Sequence, residues 1–191
     1  MKNLAEEYYK EIEGLLKSIK VTDMQGNKID FYIAVASTCS MIEKMAENKG
    51  KLIFIGNGGS AAMSSHFATD FWKNGGIRAV AFNDSSLLTC ISNDFAYKHV
   101  FEKPIEMFAE DGDILFAISS SGRSENILLG VDAARKKHLG VITLSGFRDD
   151  NPLRRLGDIN FYVPSQAYEP VEDIHHSICH CIVNVIIKRT K

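Results

Sequence analysis

Five short runs rich in β-branched and aromatic residues alternate with stretches of helical periodicity: KLIFIG at 51 to 56, IRAVAFN at 77 to 83, DILFAIS at 113 to 119, GVITLSG at 140 to 146 and INFYVP at 159 to 164. A chain that alternates strand and helix in this way builds a parallel sheet with crossover helices. In LIFI and VITL the apolar residues are consecutive rather than alternate, so both strand faces must be covered. Upstream, Leu4, Tyr8, Ile12, Leu15 and Ile19 recur at helical spacing, and an apolar-rich segment from 29 to 45 reads the same way. A last helical segment runs from Val171 to about Arg189. The expected fold is therefore α/β: a doubly wound, mostly parallel five-stranded sheet flanked by helices, with two N-terminal helices and a long C-terminal helix. Without internal repeats, low-complexity tracts or a long linker, residues 1 to 191 are expected to form one domain.

Composition removes several function classes. A formal net charge of −2 over 191 residues leaves no basic excess to draw the surface onto nucleic acid or an anionic membrane. Charged residues interrupt the first twenty positions (Glu6, Glu7, Lys10, Glu11, Glu13), so neither a signal peptide nor a membrane span is expected, and the cytoplasm is the expected location. Cys39, Cys90, Cys179 and Cys181 form no CxxC pair and suit neither a disulfide framework nor a thiolate zinc site.

Two loops carry chemistry. In GNGGSAAMSSHF, Gly56, Gly58 and Gly59 follow a strand, and Ser60 stands where a helix begins. Glycines let the backbone turn tightly and approach a ligand, and a helix start aims N–H groups and the positive dipole end at an anion. Asn57, Gly58, Gly59 and Ser60 are thus candidate phosphate or substrate contacts. The pattern is neither GxGxxG nor a Walker loop, so no nucleotide cofactor is expected. The second loop, ISSSGRSENIL, again joins an apolar strand to a helix and sets Ser119, Ser120, Ser121 and Ser124 around Gly122. Four hydroxyls exceed what capping needs. A ring of neutral donors at a helix start can hold a phosphate monoester and still release it.

Together, the strand plus GNGGS, the HFA on the following helix, SNDF at 92 to 95, ISSSGRS at 118 to 124, VITLSG at 141 to 146 and the late IHHSICH resemble the phosphoheptose (sedoheptulose 7-phosphate) isomerases of the sugar-isomerase (SIS) domain superfamily, from about residue 50 to the C-terminus. The resemblance implies interconversion of a ketose phosphate and an aldose phosphate through an enediol, supplying heptose to cell-surface glycans. It also implies a homotetramer with active sites between subunits, residues 1 to 49 serving oligomer packing, and a divalent metal, zinc above all, near the acid/base groups. No nucleic-acid or membrane partner is implied.

Such chemistry needs a base at carbon, an acid/base at the oxygens and charge stabilisation for the enediol. His66 and Asp70 stand four apart on one helix face. The family carries Glu at the base position, and this chain has the shorter Asp70 there. Glu172, His176 and His180 form one column at four-residue steps, bordered by His175 and Cys179. By resemblance His180 is the second acid/base group and a metal ligand, and Glu172 replaces a Gln ligand and is also an expected substrate contact. The implied metal set is His66, Asp70, Glu172 and His180, two imidazoles and two carboxylates suited to zinc. Glu172 and His180 are two turns apart, ~12 Å along a helix axis, so they meet one ion only if Glu172 lies at a frayed helix start; His176 is the rival ligand. Asn93 and Asp94 stand where the family contacts sugar hydroxyls, and equally suit a turn or cap. DFWKNGG replaces the family's ELTGRY-like continuation, leaving Trp72, Lys73 and Asn74 where an Arg is usual, and Glu169, Pro170 and Val171 replace a usual Asp, Arg and Ile. A non-catalytic SIS module that binds sugar phosphate or a protein partner is the alternative. A sugar-sensing regulator would need a DNA-binding segment, and the first fifty residues show no basic recognition helix.

Overall fold

The computed structural model describes residues 1–189. Helix α1 (Lys2–Ser18) leads into a small hairpin, β1 (Lys20–Thr22) and β2 (Lys28–Ile29), then α2 (Phe31–Glu47). Next come β3 (Leu52–Gly56), α3 (Gly59–Gly75), β4 (Ala79–Ala81), α4 (Ser85–Phe95) and α5 (Glu102–Phe108). The chain continues through β5 (Ile114–Ser119), α6 (Glu125–Lys136), β6 (Gly140–Ser145), β7 (Ile159–Tyr162) and α7 (Tyr168–Arg189).

These strands form a 7-stranded sheet in the order β2-β1-β7-β6-β5-β3-β4. The five expected strands are its parallel part; β1 adds antiparallel to β7, and β2 antiparallel to β1. Strand count is where the sheet departs from the sequence expectation of five. Strands of three and two residues are too short to show a period. Their turn is held locally, Asn27 donating from its backbone N–H and its side-chain Nδ2 to Asp23, both at 2.8 Å. Asn160 of β7 ties the hairpin on, its Nδ2 donating at 3.2 Å to the carbonyls of Thr22 and Asp23.

Continuous apolar runs bury on both sides. Leu52, Phe54, Phe116, Ile118, Ile142 and Leu144 face α2, α3 and α7, where Phe54 stacks on Phe116 at 4.8 Å between ring centres. Ile53, Ile55, Leu115, Ala117 and Val141 face α5 and α6. Each fully buried side chain of this kind contributes roughly 1.5–3 kcal/mol of transfer free energy. This two-sided burial fixes the strand C-termini rigidly in one row.

Helix α1 lies at the rim, with Ile12 and Leu15 partly buried against the core. None of its residues is buried, and Leu4, Tyr9 and Leu16 are exposed. A hydrogen bond from the Tyr8 hydroxyl to Asp173 links it to α7 and pushes the Tyr8 phenol up to about 12. Among the described residues no helix is long and apolar enough to cross a membrane.

Candidate active site

Strands β3 and β5 are neighbours, yet the chain leaves β3 toward β4 on one side and β5 toward β6 on the other. At such a switch point the two following loops diverge and open a crevice at the strand C-termini. A cavity of ≈ 240 Å³ lies there, lined by Asn57, Gly58, Gly59, Ser60, Ser119, Ser120, Ser121 and Ser124, with Tyr168 and Glu172 from the start of α7. Every loop residue expected from the two motifs is therefore at one cavity.

Local structure points donors into it. Gly58 turns the chain at φ 53 and ψ −122, a left-handed backbone that suits glycine, and α3 starts without a side-chain cap. Helix α6 also starts without one, although Ser124 occupies its N-cap position. Two helix N-termini thus meet at one cavity with no side chain capping either. Ser119 Oγ accepts from the Gly122 N–H at 3.2 Å, and Ser121 Oγ from the Arg123 N–H at 3.3 Å. Ser120 is buried, and its hydroxyl has no partner within the protein. A buried hydroxyl left unpaired costs free energy unless a ligand satisfies it.

Residues outside the motif reading hold this cradle. Asn57 and Asn126 exchange side-chain amide hydrogen bonds at 2.9 and 2.8 Å, and the Tyr97 hydroxyl donates to Asn57 Oδ1 at 2.8 Å. Behind the serine loop, the Gly146 N–H donates to the Ser120 carbonyl at 2.9 Å. Asn151 packs against Gly122, and a Cβ at 122 would overlap its side chain. His175, fully buried, donates from Nε2 to the Ser145 carbonyl at 3.1 Å, and burial lowers its pKa to about 4. Asn126 lies in the SGRSEN run, Gly146 in VITLSG and His175 in IHHSICH, whereas Tyr97 and Asn151 come from segments outside the quoted motifs.

Helices α3 and α7 run side by side in the same direction: Gly59 touches Glu172, and seven residues further along α3 His66 meets His176 and His180, which stand four and eight residues beyond Glu172 on α7. The His66 ring centre is 5.4 Å from each of the other two, and His176 and His180 are 4.6 Å apart. One ring nitrogen from each of the three lies within 4.8 Å of the others. Phe67 packs at 5.0 Å on His176 and 4.9 Å on His180, giving the cluster an apolar floor. Burial, and then the nearby His180 and His66, lower the pKa of His176. Asp70 Oδ2 is 3.3 Å from His66 Nε2, and Asp70 Oδ1 accepts from Asn74 Nδ2 at 3.1 Å. Asp70 and His180 line a cleft beside the cluster.

Glu172 is elsewhere. Helix α7 begins at Tyr168, so Glu172 lies in regular helix rather than at a frayed start, and the two turns to His180 hold the pair ~12 Å apart along the axis. Its carboxylate faces the cavity against Gly59, where burial first, then Glu169 and Asp173, raise its pKa. Of the four implied metal ligands the structure groups His66 and His180 with Asp70 adjoining and His176 beside them, and places Glu172 at the cavity. Asn93 and Asp94 are exposed near the end of α4, where Asn93 Nδ2 donates to Asp94 Oδ1 at 2.8 Å; neither lines the cavity.

Three imidazoles fit a divalent ion of the zinc type. Nitrogens on one ion at ~2.0–2.1 Å stand no more than ~4.2 Å apart, a spacing side-chain torsions reach from 4.8 Å. Trp72 is 55% exposed and turned away from the core.

Comparison with known proteins agrees with this layout. The SIS domain family profile matches residues 7–146. The chain is 34% identical over 160 residues to the phosphoheptose isomerase of Vibrio vulnificus, covering 81% of this chain and 83% of that one. It is 35% identical over 159 residues to the phosphoheptose isomerase of Helicobacter hepaticus, covering 80% and 81%. The structure of a phosphoheptose isomerase from Neisseria gonorrhoeae superposes with a TM-score of 0.85 at 28% identity, covering 97% of this chain and 98% of that one. With the cradle at the sheet's switch point and this degree of likeness over most of its length, the chain belongs to the SIS-domain phosphoheptose isomerase family and is a phosphosugar isomerase.

Proposed function

We propose that the enzyme converts sedoheptulose 7-phosphate, or a closely related long-chain ketose phosphate, to the aldose phosphate through an enediol. The observation that carries this is the placement of a phosphate cradle and proton-moving groups along one helix. Ser60 is in the first turn of α3, and Asp70 lies ~15 Å further along its axis. A phosphate in the cradle and a carbonyl beside Asp70 need a long carbon chain between them, which a heptulose supplies and a triose does not.

In this reading the hydroxyls of Ser119, Ser120, Ser121 and Ser124, with the N-termini of α3 and α6, bind the phosphate. Asn57, fixed by Asn126 and Tyr97, orients the sugar beside the cradle. Asp70 removes the proton from the carbon next to the carbonyl and returns it to the neighbouring carbon, while His180 serves the oxygens. Asn74 and His66 hold the Asp70 carboxylate in place, so its shorter reach is met by a fixed geometry. A divalent ion carried by the histidines would polarise the carbonyl and stabilise the enediolate. The exposed apolar side chains of α1, Leu4, Tyr9 and Leu16, support use of the N-terminal segment in a homotetramer with sites between subunits, residues 1 to 191 forming one domain.

The test is solvent deuterium incorporation followed by NMR, with sedoheptulose 7-phosphate and fructose 6-phosphate as substrates and with or without added zinc. Deuterium next to the carbonyl with an aldose product from the heptulose supports the proposal. Binding of phosphosugars without exchange would replace it with a non-catalytic sugar-phosphate module.

A further inference from the structure

We propose that the segment 148–153, acting through Asn151, is a brace that holds the serine loop 119–124 in its phosphate-binding shape, which makes Asn151 a positioning residue for substrate affinity. The inference rests on the reading of that loop as the phosphate site.

Asn151 is not among the residues lining the cavity, yet it is 1% exposed and its amide joins the end of β6 to the serine loop. Its Nδ2 donates at 2.8 Å to the Arg148 carbonyl and at 3.1 Å to the Gly146 carbonyl, with Ser145 Oγ at 3.3 Å. Its Oδ1 accepts from the Arg154 N–H at 3.1 Å and caps the helical turn Pro152–Arg155. The same amide packs against Gly122, which turns the chain at φ 61, so the left-handed residue of the loop and the buried amide share one space.

Three bonds tie the brace and the end of β6 to the loop. The Gly146 N–H donates to the Ser120 carbonyl at 2.9 Å, and the Leu153 N–H to the Gly122 carbonyl at 3.2 Å. Asp150, gripped by Arg148 Nε and Nη2 at 2.9 and 2.8 Å, accepts from Arg123 Nη2 at 3.1 Å. Positions 120, 122 and 123 are thus fixed from outside the cavity. None of these bonds uses the Ser120 hydroxyl, which stays buried and without a partner in the protein. A loop shaped from outside, with a buried donor left unsatisfied, is preorganised for an anion: the cost of ordering it falls on folding and not on binding.

The chemistry of asparagine matches this task. One short planar amide supplies both the donors and the acceptor. Aspartate keeps the acceptor for Arg154 but sets a negative charge against the Gly146 and Arg148 carbonyls, and alanine keeps neither role.

The experiment measures inorganic phosphate affinity by titration calorimetry, and kcat and KM with sedoheptulose 7-phosphate, in the wild type, N151D, N151A, G122A, N151A/G122A and D150A. N151D and N151A should lose ~10-fold or more in phosphate affinity and gain as much in KM, with kcat within ~3-fold of wild type. G122A should be as damaging alone and at least ~3-fold less damaging on top of N151A, because its methyl then enters the space the amide has left. D150A alters an exposed side chain, so it folds even if no Asn151 variant does. Removing a negative charge near an anion site lowers KM by charge alone, whereas loosening the brace raises it, and a rise of ~3-fold is expected. Unchanged phosphate affinity in folded Asn151 variants, a lowered melting temperature with KM intact, or a fall in KM in D150A overturns the proposal. S121A separates the two readings. If S121A binds phosphate as the wild type does, the phosphate-site reading fails and the brace with it; if S121A loses affinity and N151D does not, only the brace fails.

Discussion

The carboxylate of Glu172 closes on the α-carbon of Gly59, so that a methyl group at position 59 collides with both carboxylate oxygens. This contact seats the first turn of α3 against the start of α7 and sets the depth of the cavity between them.

Gly59→Ala should therefore push Glu172 out of the cavity and narrow the cradle. The expected outcome is a rise in KM of ~10-fold or more, equivalent to ~1.4 kcal/mol of binding, with the circular dichroism spectrum unchanged. An unaltered KM would mean that the Glu172 position contributes nothing to substrate binding.

Ser120→Ala removes a buried hydroxyl that has no partner within the protein. Its loss breaks no internal hydrogen bond, so the melting temperature should hold or rise slightly. Affinity for the phosphosugar, read by titration calorimetry, should fall ~5- to 10-fold, about 1 kcal/mol for one hydrogen bond. A drop in melting temperature with affinity intact would make Ser120 a structural residue.

Asp70→Asn keeps the shape and the hydrogen bond from Asn74 but cannot take a proton. Turnover should fall ~10²- to 10⁴-fold while KM moves little. Asp70→Glu, which retains a carboxylate one methylene longer, should stay within ~10-fold of wild type. Near-normal turnover in Asp70→Asn would assign the base elsewhere.

Acid should weaken the fold through His175. Its pKa is lowered from 6.5 to about 4 by burial, so below 6.5 the unfolded chain takes up a proton that the native protein refuses. Its contribution is fully present above 6.5, is lost on acidification by at most ~1.4 kcal/mol per pH unit, and levels off below about 4. Thermal melts from about pH 7 to 4.5, with chelator present to remove metal effects, should fall more steeply for wild type than for His175→Gln. Parallel curves would show that this imidazole is not the source.

Sequence alone determined the sheet's parallel core, because a strand covered on both faces must be apolar at every position and LIFI and VITL are. It also marked both halves of the phosphate cradle, since glycine at a tight turn and serines at a helix start are local requirements written where they act. The β1–β2 hairpin escaped because three- and two-residue strands carry no period; β7 and Asn160 decide them, Asn160 reaching Thr22 across 138 residues of sequence. Only the tertiary structure placed Glu172 and His176. Both share the α7 column with His180, and spacing cannot tell which one a partner helix will face. The side-by-side, same-direction packing of α3 and α7 sets Gly59 against Glu172 and His66 against His176, which sends the carboxylate to the cavity and the imidazole to the cluster. Asn93 and Asp94 were legible as polar residues near a helix end, but α4 packs so that they face solvent, because a helix's orientation is fixed by its apolar face and not by its polar one.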